Sequence, residues 1–220
     1  MNFQSEKKLV LNFYNDLQKC ENEQLVNVLS KYCAEDILWR GFHPFNEING
    51  IENLYSRFWQ PYRKSFTNFQ RRMDIFFAGI NTISSKNDVW VVSMGHLMGL
   101  FDYNWLGITC TKKIAMLRYC EFMKVDNGKI TQIAMFFDLP HLMLQAGIKP
   151  FPSETGISLV QPGPLLNNGL MFKKQNASHS HDTMKIIDNM IKDVKIWKNF
   201  DRKKITEELK NCWNEDMIWW

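Results

Sequence analysis

The chain has 220 residues, 45% of them hydrophobic and 23% charged, with a net charge of +4. That mix excludes a disordered chain. The absence of any run approaching 18 apolar residues excludes a membrane-spanning helix. The densest basic run, Arg202-Lys203-Lys204, is interleaved with Asp201 and Glu207-Glu208, which reads as a solvated helix surface rather than a nucleic-acid footprint.

Aromatic residues make up 14%, with 16 Phe and 8 Trp, so a large core or an apolar cavity is expected. Five cysteines stand apart at Cys20, Cys33, Cys110, Cys120 and Cys212. An odd number without paired spacing speaks against a disulfide framework and against a zinc site. The N-terminus carries no apolar stretch of the signal-peptide kind, and the expected location is the cytoplasm.

In chain order, apolar Leu9, Leu11, Phe13-Tyr14 and Leu17 predict a helix over 5–19, and Leu25, Val28-Leu29 and Tyr32 a second over 23–32. A short strand follows at 36–40, then a loop with Gly41, His43-Pro44 and Asn49-Gly50. Ile51, Leu54-Tyr55, Phe58-Trp59 and Tyr62 predict a helix over 51–66 with one face to the core. From Phe69 the period changes to that of strands: 72–77, 88–94, 114–125 and 129–137 are rich in β-formers. Asp126-Asn127-Gly128 marks a tight hairpin between the last two. A short helix over 139–146 ends at Gly147. Helices grouped before a meander of long antiparallel strands make an α+β domain, and such a sheet curls around the helices into a cone that can hold a ligand.

Residues 151–180 read as a linker, since Pro152, Pro162, Pro164, Gly156, Gly163 and Gly169 fall there, just after Pro150. Beyond it the sequence starts again. At an offset of 180 residues, Leu29, Glu35, Asp36 and Trp39 recur as Leu209, Glu215, Asp216 and Trp219. The organisation is therefore a pocket domain over 1–150, the linker, and over 181–220 the opening of a second copy. The apolar faces of that opening (Ile186, Ile187, Met190, Val194; Ile205, Leu209) have no second sheet to cover. They predict association with the first domain or with another chain, as in a homodimer.

Several pieces in order resemble the SnoaL-like polyketide cyclases and their relatives with the cystatin-like, nuclear-transport-factor-type fold. They are Trp39 with Pro44 and Gly50, Phe58-Trp59-Gln60-Pro61, Gly95-His96-Leu97-Met98-Gly99-Leu100-Phe101, Trp105-Leu106-Gly107-Ile108, Arg118-Tyr119-Cys120-Glu121-Phe122, Asp126-Asn127-Gly128-Lys129-Ile130, and the stretch Asp138-Leu139-Pro140-His141 through Gln145-Ala146-Gly147. The resemblance covers about residues 5–150 and implies a cone-shaped sheet wrapped around N-terminal helices. It further implies an intramolecular aldol closure without cofactor, in which one acidic side chain moves a proton on and off the substrate. The fold also hosts isomerases, dehydratases and purely binding domains. Two readings follow: a cofactor-independent cyclase or isomerase acting on a small, mostly apolar oxygenated molecule, or a non-catalytic ligand-binding or assembly domain.

By that resemblance Asp138 matches the acidic general acid/base. A wall of Met135, Phe136 and Phe137 would strip its hydration and raise its pKa. It is equally placed to cap the helix over 139–146. His96 shares a strand face with Trp90, Val92, Met94 and Met98, where it could exchange a proton with a ligand or serve as a satisfied core histidine. Arg118 and Glu121, three residues apart on a strand, fall on opposite faces, so one of them points into the cone. Trp39, Trp59 and His43 are expected as pocket wall, bordering a cavity with His96 and Asp138. His179-Ser180-His181-Asp182 lies in linker sequence and lacks a closed metal geometry. No phosphate loop, nucleophile elbow or helical zinc motif is present in the sequence.

Overall fold

The computed structural model describes residues 3–83, 87–152, 163–164, 166–195 and 201–214. The chain divides into two compact units, Asn2–Lys173 and Lys174–Trp220.

In the first unit, α1 (Gln4–Lys19) and α2 (Leu25–Tyr32) precede β1 (Cys33–Arg40) and β2 (Glu47–Asn49). Each helix buries a stripe at helical spacing: Val10, Phe13, Tyr14 and Leu17 on α1, and Leu25, Leu29 and Tyr32 on α2. The helix expected over 51–66 forms in three pieces, α3 (Ile51–Leu54), a π turn (Tyr55–Trp59) and α4 (Gln60–Ser65). Pro61 explains the widening. It has no N–H for the carbonyl one turn back, and the Gln60 N–H instead reaches five residues back to the Tyr55 carbonyl.

Four long strands then meander: β3 (Phe66–Ile80), β4 (Val89–Phe101), β5 (Ile114–Asp126) and β6 (Lys129–Phe137). Neighbours in this series pair antiparallel. The β5–β6 hairpin closes on Asn127 (φ 49°) and Gly128 (φ 73°), two positive-φ positions in the two-residue turn. The sheet order is β2-β1-β6-β5-β4-β3, and β1 joins β6 in parallel. The whole is an α+β fold with a curved, open six-stranded sheet and N-terminal helices, as the sequence indicated.

Opposed residues of paired strands share a face, which sorts the sheet into two surfaces. Val91, Ser93, Leu97 and Phe101 of β4 and Ala115, Leu117, Tyr119, Glu121 and Met123 of β5 are buried with the helices. The alternating set, Trp90, Val92, Met94, His96 and Met98 with Arg118, Cys120 and Phe122, faces the outer side.

A fifth helix, α5 (Leu139–Gln145), closes the domain. Beyond the end of β6, the Gln145 side-chain amide exchanges two hydrogen bonds with the Met116 backbone, 2.9 and 2.8 Å, and so stands in for a strand neighbour. Part of the stretch read as linker returns to the first unit. Leu170 bridges Phe76 of β3 in parallel, with Phe76 N donating to Gly169 O at 2.8 Å and Met171 N to Phe76 O at 2.7 Å. The buried Lys7 ammonium donates to the Met171 and Lys173 carbonyls.

The second unit contains α6 (Ala177–Lys195) and α7 (Arg202–Cys212). The His179-Ser180-His181-Asp182 segment is thus helical rather than linker, and it is exposed. Among the described residues no three His, Cys, Asp or Glu side chains cluster to hold a metal ion. Met184, Ile186, Ile187, Ile191 and Val194 leave α6 with an exposed apolar face. The strand that would open a second sheet, 215–219, lies outside the described residues. No described helix is long and apolar enough to cross a membrane.

Candidate active site

The helix-covered side of the sheet is filled by rings. Phe58 stacks on Phe137 (5.5 Å, 4°) and Phe66 on Phe101 (4.6 Å, 1°), with Trp39, Trp59, Tyr62 and Trp105 packed among them. Trp39 and Trp59 are fully buried, part of this packing rather than the lining of an open wall. The indole N–H groups of Trp39, Trp59 and Trp105 and the Tyr62 hydroxyl are buried without a hydrogen-bond partner among the described residues. Buried polar groups are ordinarily satisfied, so these four are exceptions within a mostly apolar interior.

Charge enters this interior at one place. Glu121, completely buried, accepts from the Tyr14 hydroxyl at 2.7 Å and from Arg71 Nη1 at 2.9 Å, all on Oε2. The Arg71 side chain is 3% exposed, and its guanidinium lies over the rings of Tyr14 (3.8 Å) and Tyr119 (4.5 Å). The Tyr119 hydroxyl shares a 2.8 Å hydrogen bond with Ser93. Burial, and then the Glu121 charge, pushes the Tyr14 phenol well above its ordinary pKa, so it remains a proton donor. The second oxygen of the carboxylate, Oε1, and the second guanidinium nitrogen, Nη2, are buried and have no hydrogen-bond partner among the described residues.

Of the two alternating charges on β5, the fold turns Glu121 inward and Arg118 outward. His96 sits opposite Arg118 and therefore also on the outer face. Its side chain is 7% exposed, its Nδ1 lies 3.5 Å from Asp74 Oδ2, and its Nε2 is buried without a partner among the described residues. Asp138 is exposed, and its neighbours do not wall it in: Phe137 points into the core while Phe136 packs on Phe42 outside. Its Oδ1 accepts from the His141 N–H at 2.9 Å, capping α5. His43 is exposed in the loop between β1 and β2. The expected cavity bordered by Trp39, Trp59, His96 and Asp138 does not form, because the sheet separates His96 from the indoles and Asp138 lies at the rim.

Two measurements check these placements. Asp138→Ala is expected to lower stability by about 1 kcal/mol, and Asp138→Asn by only a few tenths, in urea unfolding, since Asn caps as well as Asp. For His96, burial lowers the pKa, with Arg118 and His141 adding to it and Asp74 opposing. A folded pKa below the unfolded value of 6.5 means that the unfolded chain takes up the proton first. Stability should therefore fall as pH drops through that value, and His96→Gln should reduce the loss between about pH 8 and pH 5. Equal acid sensitivity in the two proteins would remove His96 from the account.

Sequence reasoning did not find Arg71, Tyr14 or Tyr119. The signal available was the inward glutamate itself, which in a dry interior requires a cation and donors.

No protein-family model and no curated protein matches the sequence. Among solved structures, a candidate SnoaL-like polyketide cyclase from Jannaschia sp. CCS1 aligns with a TM-score of 0.50 at 16% identity, over 68% of this chain and 94% of that one. AclR from Streptomyces galilaeus, a candidate hydroxylase, aligns with a TM-score of 0.51 at 14% identity, over 69% and 87%. At such identities the likeness speaks for architecture, and the chain has the cone-shaped fold of the SnoaL-like polyketide cyclases.

Proposed function

We propose that the helix-covered interior of the first unit binds a small, mostly apolar oxygenated molecule and acts on it as a cofactor-independent cyclase or isomerase, with Glu121 as general acid/base. The observation that carries this is the pair of buried, unpartnered charged atoms, Glu121 Oε1 and Arg71 Nη2, in an otherwise aromatic interior. Each such atom costs about 1–3 kcal/mol if left unsatisfied. A carbonyl compound satisfies both. Its oxygen accepts from Arg71 Nη2, and a C–H or O–H next to the carbonyl meets Oε1. Glu121 then takes the proton, Arg71 holds the enolate oxygen, and the proton returns to a different atom or the enolate closes on a second carbonyl. Arg71 and Tyr14 fix the carboxylate through Oε2 and leave Oε1 free for the transfer.

The test is exchange of α-protons of an aryl ketone such as phenylacetone in heavy water, followed by NMR. The full chain should accelerate exchange and Glu121→Gln should not, while keeping the fold, because the amide oxygen still accepts from Arg71 and Tyr14. Exchange that is no faster than in buffer, or that survives Glu121→Gln, overturns the catalytic reading. The ring stacks filling the interior favour the second reading, a non-catalytic binding or assembly domain of the same fold. In that case no exchange is seen, with ligand binding or without it.

We also read α6 and α7 as the opening helices of a second copy, whose exposed face associates with another chain. A monomer after truncation behind Lys173, against a dimer for the full chain, would support this. Equal size for the two forms would refute it.

A further inference from the structure

The outer face of the sheet is ordered in rows across β3, β4 and β5. Arg72, His96 and Arg118 stand in register. The next row is Ile75, Met94 and Cys120, continued by Phe136 on β6. The row after that is Phe77, Val92, Phe122 and Ala134. Beyond it, Gly79 and Trp90 stand level with Lys124, whose charge is met by Asp88 at 2.9 Å. Rows repeat about every 6.7 Å along a strand. The polar row thus lies about 13 Å from the aromatic row, measured across the intervening sulfur-containing one.

The aromatic end is a groove of about 400 Å³ lined by Phe77, Trp90, Val92, Phe122 and Ala134, with Asn81 at its edge. Phe77 and Phe122 are 39% and 36% exposed, and the Trp90 indole N–H is buried without a partner. At the other end, neither Arg72 nor Arg118 makes an ion pair among the described residues. Asp74 cancels one of these two charges, and one positive charge remains. The deeply buried His96 Nε2 sits among them unpartnered.

We propose that this outer face is a second binding site, for a single-headed amphiphilic carboxylate whose head sits on Arg72, His96 and Arg118 and whose hydrocarbon tail runs along β4 and β5 into the Phe77–Trp90–Phe122 groove. One net positive charge calls for a monoanion. A bare anion would leave the aromatic groove empty, and a neutral lipid would leave the arginines unpaired. With Nδ1–H directed at Asp74, the imidazole stays neutral and adds no charge to the head site. The carboxylate binds as the monoanion, accepting from the two guanidinium groups, and the imidazole borders it. The titratable and charged groups around the head are Asp74 and Arg72 on β3, His96 on β4, Arg118 and Cys120 on β5 and His141 on α5. The site is separated from the Glu121 interior by the sheet itself.

The experiment is calorimetric titration of the full chain with dodecanoate below its micellar range, in two buffers of different ionisation enthalpy. Saturable 1:1 binding is expected, with a heat that does not depend on the buffer, because the ligand binds as the monoanion. Acetate and dodecanol should bind at least tenfold more weakly. Arg118→Gln and Phe122→Ala, both at the surface, should each weaken dodecanoate by tenfold or more without changing thermal unfolding. The pair Arg71→Met with Glu121→Leu should leave dodecanoate affinity unchanged. Equal binding of dodecanol and dodecanoate, indifference to Arg118→Gln, loss of binding only in the Arg71/Glu121 pair, or no binding at all overturns the proposal.

Discussion

Glu121→Leu is expected to destabilise the first unit by about 3–5 kcal/mol, one of the largest single-residue effects in the molecule. The substitution leaves the Arg71 guanidinium buried without its carboxylate and removes the acceptor for the Tyr14 hydroxyl. Arg71→Met should do comparable damage from the other side by stranding the carboxylate. Made together, the two substitutions replace a buried ion pair by hydrocarbon of similar volume, and most of the loss should be recovered. Urea unfolding of the four proteins in a double-mutant cycle gives the coupling directly. Additive losses would mean that the two side chains are not energetically joined, and would remove the basis for treating their free atoms as one site.

Gly95→Ala is expected to destabilise by about 2–5 kcal/mol. Gly95 has φ 157°, and a Cβ there would stand 2.0 Å from the Arg72 carbonyl oxygen and 3.0 Å from Met73 Cα. Both neighbours are backbone of β3 at the edge of its register shift between Met73 and Ile75, so neither can rotate away. That shift places Asp74 beside His96, and the same variant should therefore disturb the outer polar row. Gly99→Ala is the control. Its Cβ would meet Thr67 O at 3.0 Å and Phe66 Cβ at 3.1 Å, without an unusual φ, and a smaller loss in chemical denaturation is expected. Equal losses at the two positions would show that crowding on β3 alone, and not the backbone conformation, governs the site.

The elements were legible because their periods are strong. Phe13, Tyr14 and Leu17 and the run of β-formers after Phe69 fold as their spacing indicates, although Val10, rather than Leu9 or Leu11, completes the buried stripe of α1. The parallel pairing of β1 with β6 joins residues about a hundred apart, and no local pattern encodes it. The direction of His96 was hidden for a different reason. Both faces of β4 are apolar, the inner one buried and the outer one half-buried, so alternation groups His96 with Trp90 and Met94 without telling which side is inside. Arg71 was obscured by register shifts on both sides of it, between Thr67 and Gln70 and between Met73 and Ile75, which break the alternation that would have shown it facing inward. Asp138 was legible as a helix cap. Its expected loss of hydration depended on side chains whose directions only the hairpin register determines.

The short parallel bridge from Leu170 to Phe76 bears on how much chain the first unit needs. β3 is the last strand of an open sheet, and an uncovered last strand is a template on which other chains can grow. Gly169 and Met171 occupy the amide and carbonyl of Phe76, and Lys7 ties the following turn down. A fragment ending near residue 150 would contain every helix and strand of the cone and still be a poor reagent, prone to self-association along β3. The working boundary of the unit is set by protection of that edge, well beyond its last regular element, α5.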